Sequence, residues 1–156
     1  MGREKRFAGM LVATLAAGFS VLLGGSADAA GTTSLHGTQA CWVPSGYTYS
    51  RVSWSTRCGT SQYATEFTLS DYTNLDISNS TVCWVPPNFA IARMTNTTAC
   101  GTSQYVAEFT VLDPVRRNLT GVWSCNVPPG YTYSATTNTT NCSTNSLQTY
   151  FLLQKY

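Results

Sequence analysis

Charge, histidine and long apolar runs are all in short supply in this chain. Nine Lys or Arg and seven Asp or Glu are spread over 156 residues. With residues 1–29 set aside, six basic and five acidic residues are left. That near-balance gives no electrostatic footprint for nucleic acid or an anionic membrane surface. The one histidine, His36, excludes repeated His-based catalysis, and beside Gly37 in a polar segment it reads as a solvated surface residue. Gly-x-Ser-x-Gly, His-Glu-x-x-His and phosphate-binding glycine loops are missing, so the chemistries built on them have no residues here. Past residue 30 no stretch has helical apolar spacing. No enzyme, cofactor or metal is expected.

Residues 1–29 form a separate unit of sequence. Arg3, Lys5 and Arg6 make a positive start, Phe7 to Leu23 is almost wholly apolar or small, and Ala27-Asp28-Ala29 supplies a small-residue cleavage pattern. This is the layout of a secretory signal peptide cut after Ala29. It is too short and too glycine-interrupted for a spanning helix of ~20 apolar residues. No Arg-Arg pair precedes the apolar stretch, which favours the general export route over the twin-arginine one. A secreted, extracellular chain is expected, with no membrane association after cleavage.

Against these absences stand six cysteines in one pattern. Cys41, Cys83 and Cys125 are each followed, at one constant spacing, by Cys58, Cys100 and Cys142, and the pairs themselves recur at a constant offset. The chain is one block written three times, and such a period sets the architecture. In an oxidising compartment an even, regularly spaced set reads as a disulfide framework. Six cysteines allow 15 pairings. The repeat makes Cys41–Cys58, Cys83–Cys100 and Cys125–Cys142 the simplest, each loop contributing about 3 kcal/mol in the chain-entropy model. Zinc sites use close cysteine pairs or Cys with His, and His36 has no histidine counterpart in the other blocks.

The blocks are 35–76, 77–118 and 119–156, preceded by a flexible segment 30–34, and they align without insertion. Thr, Tyr, Val, Phe and Trp favour strands, so the domain at 35–156 is read as all-β. Three strands are expected per block. The first ends at Cys-x-Val, and the second starts at Tyr47, Phe89 or Tyr131 after a Pro-rich turn. The third holds Phe67, Phe109 or Phe151. Period-two alternation places Tyr47 with Tyr49, Phe89 with Ile91, and Tyr131 with Tyr133 on a core face. Phe67 with Leu69, Phe109 with Val111 and Phe151 with Leu153 join them. Glu66 and Glu108 are expected on the outward face, where block three has Tyr150. Trp42 and Trp84 lie opposite the Cys-Val face, and Asn126 replaces them in block three.

Blocks too small to bury a face alone suggest closed threefold packing, with a β-trefoil-like domain the expected arrangement and a β-prism or serial β modules the alternatives. The cysteine spacing, with an aromatic nine residues after the second cysteine, resembles the ricin-B-type trefoil lectins. Phe67, Phe109 and Phe151 stand where that family has the Trp of its Gln-x-Trp motif. The chain contains no Gln-x-Trp, and no Asp follows the first cysteine of any block. The resemblance therefore implies a fold and carries no sugar-binding residue across.

Function is expected to lie in what repeats twice rather than three times. Outward Trp42 and Trp84 offer apolar faces to sugar rings, while Gln62, Gln104, Tyr63, Tyr105, Glu66 and Glu108 supply hydrogen-bonding groups. An array of weak sites gains by multivalency on a polymer, so the leading expectation is a non-catalytic module for polysaccharide or glycan. Glu66 and Glu108 are the only paired carboxylates of the glycosidase kind, and as mates in different blocks they are expected to stand apart. One alternative is a small protease inhibitor presenting Asp113-Pro114-Val115-Arg116-Arg117-Asn118. Another is a structural, envelope-associated protein. Asn79, Asn96, Asn118, Asn138 and Asn141 match the N-glycosylation pattern, as a chain rich in Asn, Ser and Thr does by composition. N-terminal sequencing of the exported chain should start at Ala30, and a start at Met1 would contradict the signal-peptide reading.

Overall fold

The computed structural model describes residues 33–60 and 62–156. The expected signal peptide, and residues 30–32 of the segment after it, lie outside the described residues. Each block builds one three-stranded antiparallel sheet. Block one has β1 (Gln39–Ala40), β2 (Tyr47–Ser55) and β3 (Ala64–Asp71), and block two has β4 (Thr81–Val82), β5 (Ala90–Thr97) and β6 (Val106–Leu112). Block three has β7 (Trp123–Ser124), β8 (Tyr131–Thr139) and β9 (Gln148–Lys155). In every sheet the third strand is central, flanked by the short first strand and the long second one. Among the described residues no helix is long and apolar enough to cross a membrane.

All three expected disulfides are formed, with Cα–Cα separations of 5.2, 5.2 and 5.3 Å. Each pins the start of a block to the hairpin joining its two long strands. The turn before each long strand is equally regular. The N–H of Tyr47, Phe89 and Tyr131 donates to the carbonyl of Pro44, Pro86 and Pro128, and the residue before each donor has positive φ: Gly46 (84°), Asn88 (66°) and Gly130 (81°). Positive φ at the third position, with Pro87 and Pro129 at the second, is type II turn chemistry. The other positive-φ residues, Gly37, Asn79 and Gly121, are likewise three copies of one position, at the turn that opens each block.

The first strand is shorter than expected. It stops one residue before the cysteine in all three blocks. Cys83 donates to the Tyr49 carbonyl of block one and Cys125 to the Ile91 carbonyl of block two, both at 2.7 Å. A second pair returns: Val52 donates to the Ala99 carbonyl (2.8 Å) and Met94 to that of Asn141 (2.7 Å). Two backbone hydrogen bonds thus join one block to the next, and the second joint repeats the first, shifted by one block. A bulge near Ser50, Ala92 and Ser134 in β2, β5 and β8 spaces the two groups on the strand edge. Tyr49 faces Leu69 and Val52 faces Phe67 on the central strand, so both residues turn the same edge outward to the following block. Among the described residues the three sheets stay separate, no strand of block three pairs with block one, and no closed barrel is formed.

Burial follows the joints. Ile77, Val82, Phe89 and Val111 form one core cluster, with Tyr72 of block one packed against it. Leu119, Tyr131 and Leu153 form another with Ala90 and Leu112 of block two. Each block therefore completes its neighbour's core. Leu69, Val111 and Leu153 are fully buried, while Phe67, Phe109 and Phe151 are only partly so. Tyr133, expected in the core, is half exposed on the outer strand β8. His36, a surface residue as expected, also has a scaffold role. Its Nδ1 accepts the Asp71 N–H, as Ser78 Oγ does for Asp113 and Thr120 Oγ1 for Lys155.

The turns generate a prediction. A Cβ on Gly46 would collide with Thr73 Oγ1, whereas one on Gly130 meets nothing within 4 Å. Left-handed backbone costs a non-glycine residue about 1–2 kcal/mol. Denaturant titration should find Gly130→Ala destabilised by about that amount and Gly46→Ala by clearly more; equal losses would contradict the packing described.

Candidate functional groove

A concavity bearing several aromatic side chains lies at the first joint. It is a groove of about 370 Å³ lined by Val43, Pro44, Ser45, Gly46, Tyr47, Tyr49 and Tyr72 of block one and by Trp84 of block two. Its walls are held in place from behind. The Tyr47 hydroxyl accepts the Leu35 N–H at 3.0 Å. Tyr49 meets Phe67 edge-on at 5.0 Å between ring centroids, and Tyr72 meets Phe89 edge-on at 6.0 Å. Trp84 is fixed through its backbone: the neighbouring Cys83 N–H is bound to Tyr49, and the buried Thr48 hydroxyl donates to the Trp84 carbonyl. The indole itself is half exposed. Rigid aromatic surface of this kind binds at small ordering cost.

The second joint is built from the same backbone and carries different side chains. Asn126 stands where block two has Trp84. Its Oδ1 accepts the Ile91 N–H at 2.8 Å, and its Nδ2 donates to the Phe89 carbonyl at 3.0 Å. Tyr150 adds a hydrogen bond from its hydroxyl to the Ala92 carbonyl (2.8 Å) and stacks on Trp123. Burial pushes the Tyr150 phenol above its ordinary pKa, which keeps it a neutral donor. The second joint has a concavity of its own, about 420 Å³, lined by residues such as Ile91 and Met94 of block two and Gln148 and Phe151 of block three, but without the tryptophan and tyrosines of the first.

The eight residues singled out in the sequence do not assemble into one site. Trp84 lines the groove. Trp42, its repeat mate, is 67% exposed at the opposite end of block one. Tyr63 and Trp54 line one shallow patch, and Tyr105 is exposed at the matching hairpin of block two. Gln62 and Gln104 are exposed beside them. Glu66 departs from expectation. It sits on the outward face, but Arg57 folds over it with Nε at 2.9 Å and a second contact through Nη2, leaving the residue 5% exposed. Glu108 is partly buried, and Ala99 occupies the place of that arginine.

Other charged groups also serve structure. Burial alone would raise the Asp71 carboxyl, but hydrogen bonds from Asn74, Ser34 and Thr73 outweigh it and lower its pKa to about 2. Hydrogen bonds from Ser78 and Arg117 hold Asp76 at about 2 as well. Arg116 binds Asp113 at 2.8 Å and the carbonyls of Tyr72 and Thr73, and Arg117 binds Asp76 at 2.7 Å. The arginine pair therefore ties the end of block two to the end of block one.

Sequence reasoning missed Tyr47, Tyr49, Tyr72 and Trp54 as surface candidates. The first two repeat as aromatic or aliphatic residues in every block, which reads as core. A visible signal existed for Trp54, since Asn96 and Asn138 hold that position in the other blocks. Compared with known proteins, the chain matches no protein-family model, no curated protein and no solved structure.

Proposed function

We propose that this is a secreted, non-catalytic binding module for carbohydrate polymer, with the groove at the first joint as its principal site. The observation carrying the reading is the half-exposed Trp84 facing Tyr47, Tyr49 and Tyr72 across a preformed cleft. Planar aromatic faces with polar tips suit the alternating apolar faces and hydroxyl rims of sugar rings. The Trp54–Tyr63 patch belongs to the same block, and Trp54 shares a sheet face with Tyr49 through the β2–β3 register. A polymer long enough to reach both would gain by multivalency. The three disulfides support an exported protein.

The competing readings draw less support. Arg116 and Arg117 are bound to block one, which leaves neither free to enter a trypsin-like pocket. Glu66 is neutralised by Arg57, which suits a scaffold carboxylate better than a catalytic one. For the arrangement of the repeats we favour serial modules over a trefoil-like or prism-like domain, because the two joints are related by one constant offset and the ends differ from the joints in burial.

Retention of the disulfide-intact protein on insoluble cell-wall and plant polysaccharides, followed by a glycan array, tests the function. Binding of at least one polymer class is expected, with Trp84→Ala weakening it ~10-fold or more, as for a central aromatic anchor. No binding to any glycan, or binding unchanged by Trp84→Ala, would refute the reading.

A further inference from the structure

The two ends of the array carry the two halves of its own first joint. At that joint β2 presents the Tyr49 carbonyl and the Val52 N–H, and block two answers with the Cys83 N–H and the Ala99 carbonyl. In block three, the equivalents of the first pair are the Tyr133 carbonyl and the Thr136 N–H on β8. This is the outer strand of its sheet, with the same register and the same bulge. In block one, the equivalents of the second pair are the Cys41 N–H and the Arg57 carbonyl. None of these four groups has a hydrogen-bond partner outside its own sheet among the described residues.

The side chains match as well. Gly46-Tyr47-Thr48-Tyr49-Ser50 recurs unchanged as residues 130–134, and Cys83-Trp84-Val85-Pro86 recurs as residues 41–44. Tyr72 has its counterpart in Tyr156. The tail therefore holds the three tyrosines of the groove, and the head holds the tryptophan. Block two breaks the pattern with Phe89, Ile91 and Pro114 at the tyrosine positions, so this likeness is specific to the free ends.

Burial singles out the same surfaces. Thr48 and Ala90 are 0% exposed inside the joints, while the equivalent Thr132 is exposed at the tail. Ile77 and Leu119 are each 2% exposed behind a preceding block, while the equivalent Leu35 is 42% exposed at the head. Exposed strand edges are usually blunted by charge or proline. β8 carries neither, and it has Ala135 where β2 and β5 carry Arg51 and Arg93.

We propose that the free tail of one copy docks on the free head of a second copy, repeating the internal joint between chains. Thr132 would donate to the Trp42 carbonyl of the second copy as Thr48 does to Trp84. Tyr133 and Tyr156 would meet the second copy's Trp42 in a new groove, with Tyr131 buried behind them. The interface is heterologous, so it leaves one head and one tail free and propagates into chains. The proposal is independent of what the groove binds.

Sedimentation analysis of the exported protein without any glycan tests it. The average mass should rise with concentration past that of two chains. Trp42→Ala removes the head side chain and Thr132→Lys places a charge on the tail edge, both at exposed positions, and each variant alone should stay a single chain. Mixed in equal amounts they should give two-chain species and nothing larger, since one retains a working tail and the other a working head. A single-chain mass for the unmodified protein at all concentrations would overturn the proposal, as would self-association of either variant or failure of the mixture to pair.

Discussion

The outward edge of the long second strand is the constraint on which the rest of this structure depends. A block of about forty residues buries too little apolar surface to be stable alone. Here it has one disulfide and half of a shared core. The two hydrogen bonds from that edge to the next block bring the halves together. They give the cysteine N–H of blocks two and three its partner, a carbonyl of the preceding block. They also give a role to the bulge near Ser50, Ala92 and Ser134, which spaces the carbonyl and the N–H that the neighbour reads. Each of these backbone groups is satisfied only across the joint, and a buried unsatisfied group would cost ~1–3 kcal/mol.

With the joint fixed by backbone, side chains are free to give it different characters. Trp84 lines an aromatic cleft at the first joint, and Asn126 in the same place at the second instead binds the backbone of Phe89 and Ile91. The same freedom operates on the outward sheet faces. Block one uses Gln39, Arg57 and Glu66 as a polar cluster, and block three uses Trp123 and Tyr150 as a stacked pair in the equivalent places. A repeat protein can acquire function in this way without disturbing its scaffold.

Much of the scaffold was legible in the sequence because its rules are local. The disulfides followed from spacing, the second and third strands from composition, and the turns from Pro followed by Gly or Asn. What was hidden depends on neighbours. Nothing about Ser50, Ala92 or Ser134 marks a bulge, since the residues differ and the cause is a partner block. Tyr47 and Tyr49 read as core by alternation, yet one edge of the sheet leaves them lining a groove. Glu66 read as a free carboxylate because its partner, Arg57, reaches it across the hairpin. Threefold sequence symmetry suggested closure, and the hydrogen bonds join block one to two and two to three by the same backbone groups. Sequence periodicity alone does not separate a closed from a serial arrangement.

Amide hydrogen exchange in dilute solution tests this account most directly. Val52, Cys83, Met94 and Cys125 donate across the joints and should be strongly protected, while the equivalent Cys41 and Thr136 at the free ends should exchange quickly. Equal protection at all six amides would mean that the third block closes on the first, and would contradict the serial arrangement proposed above.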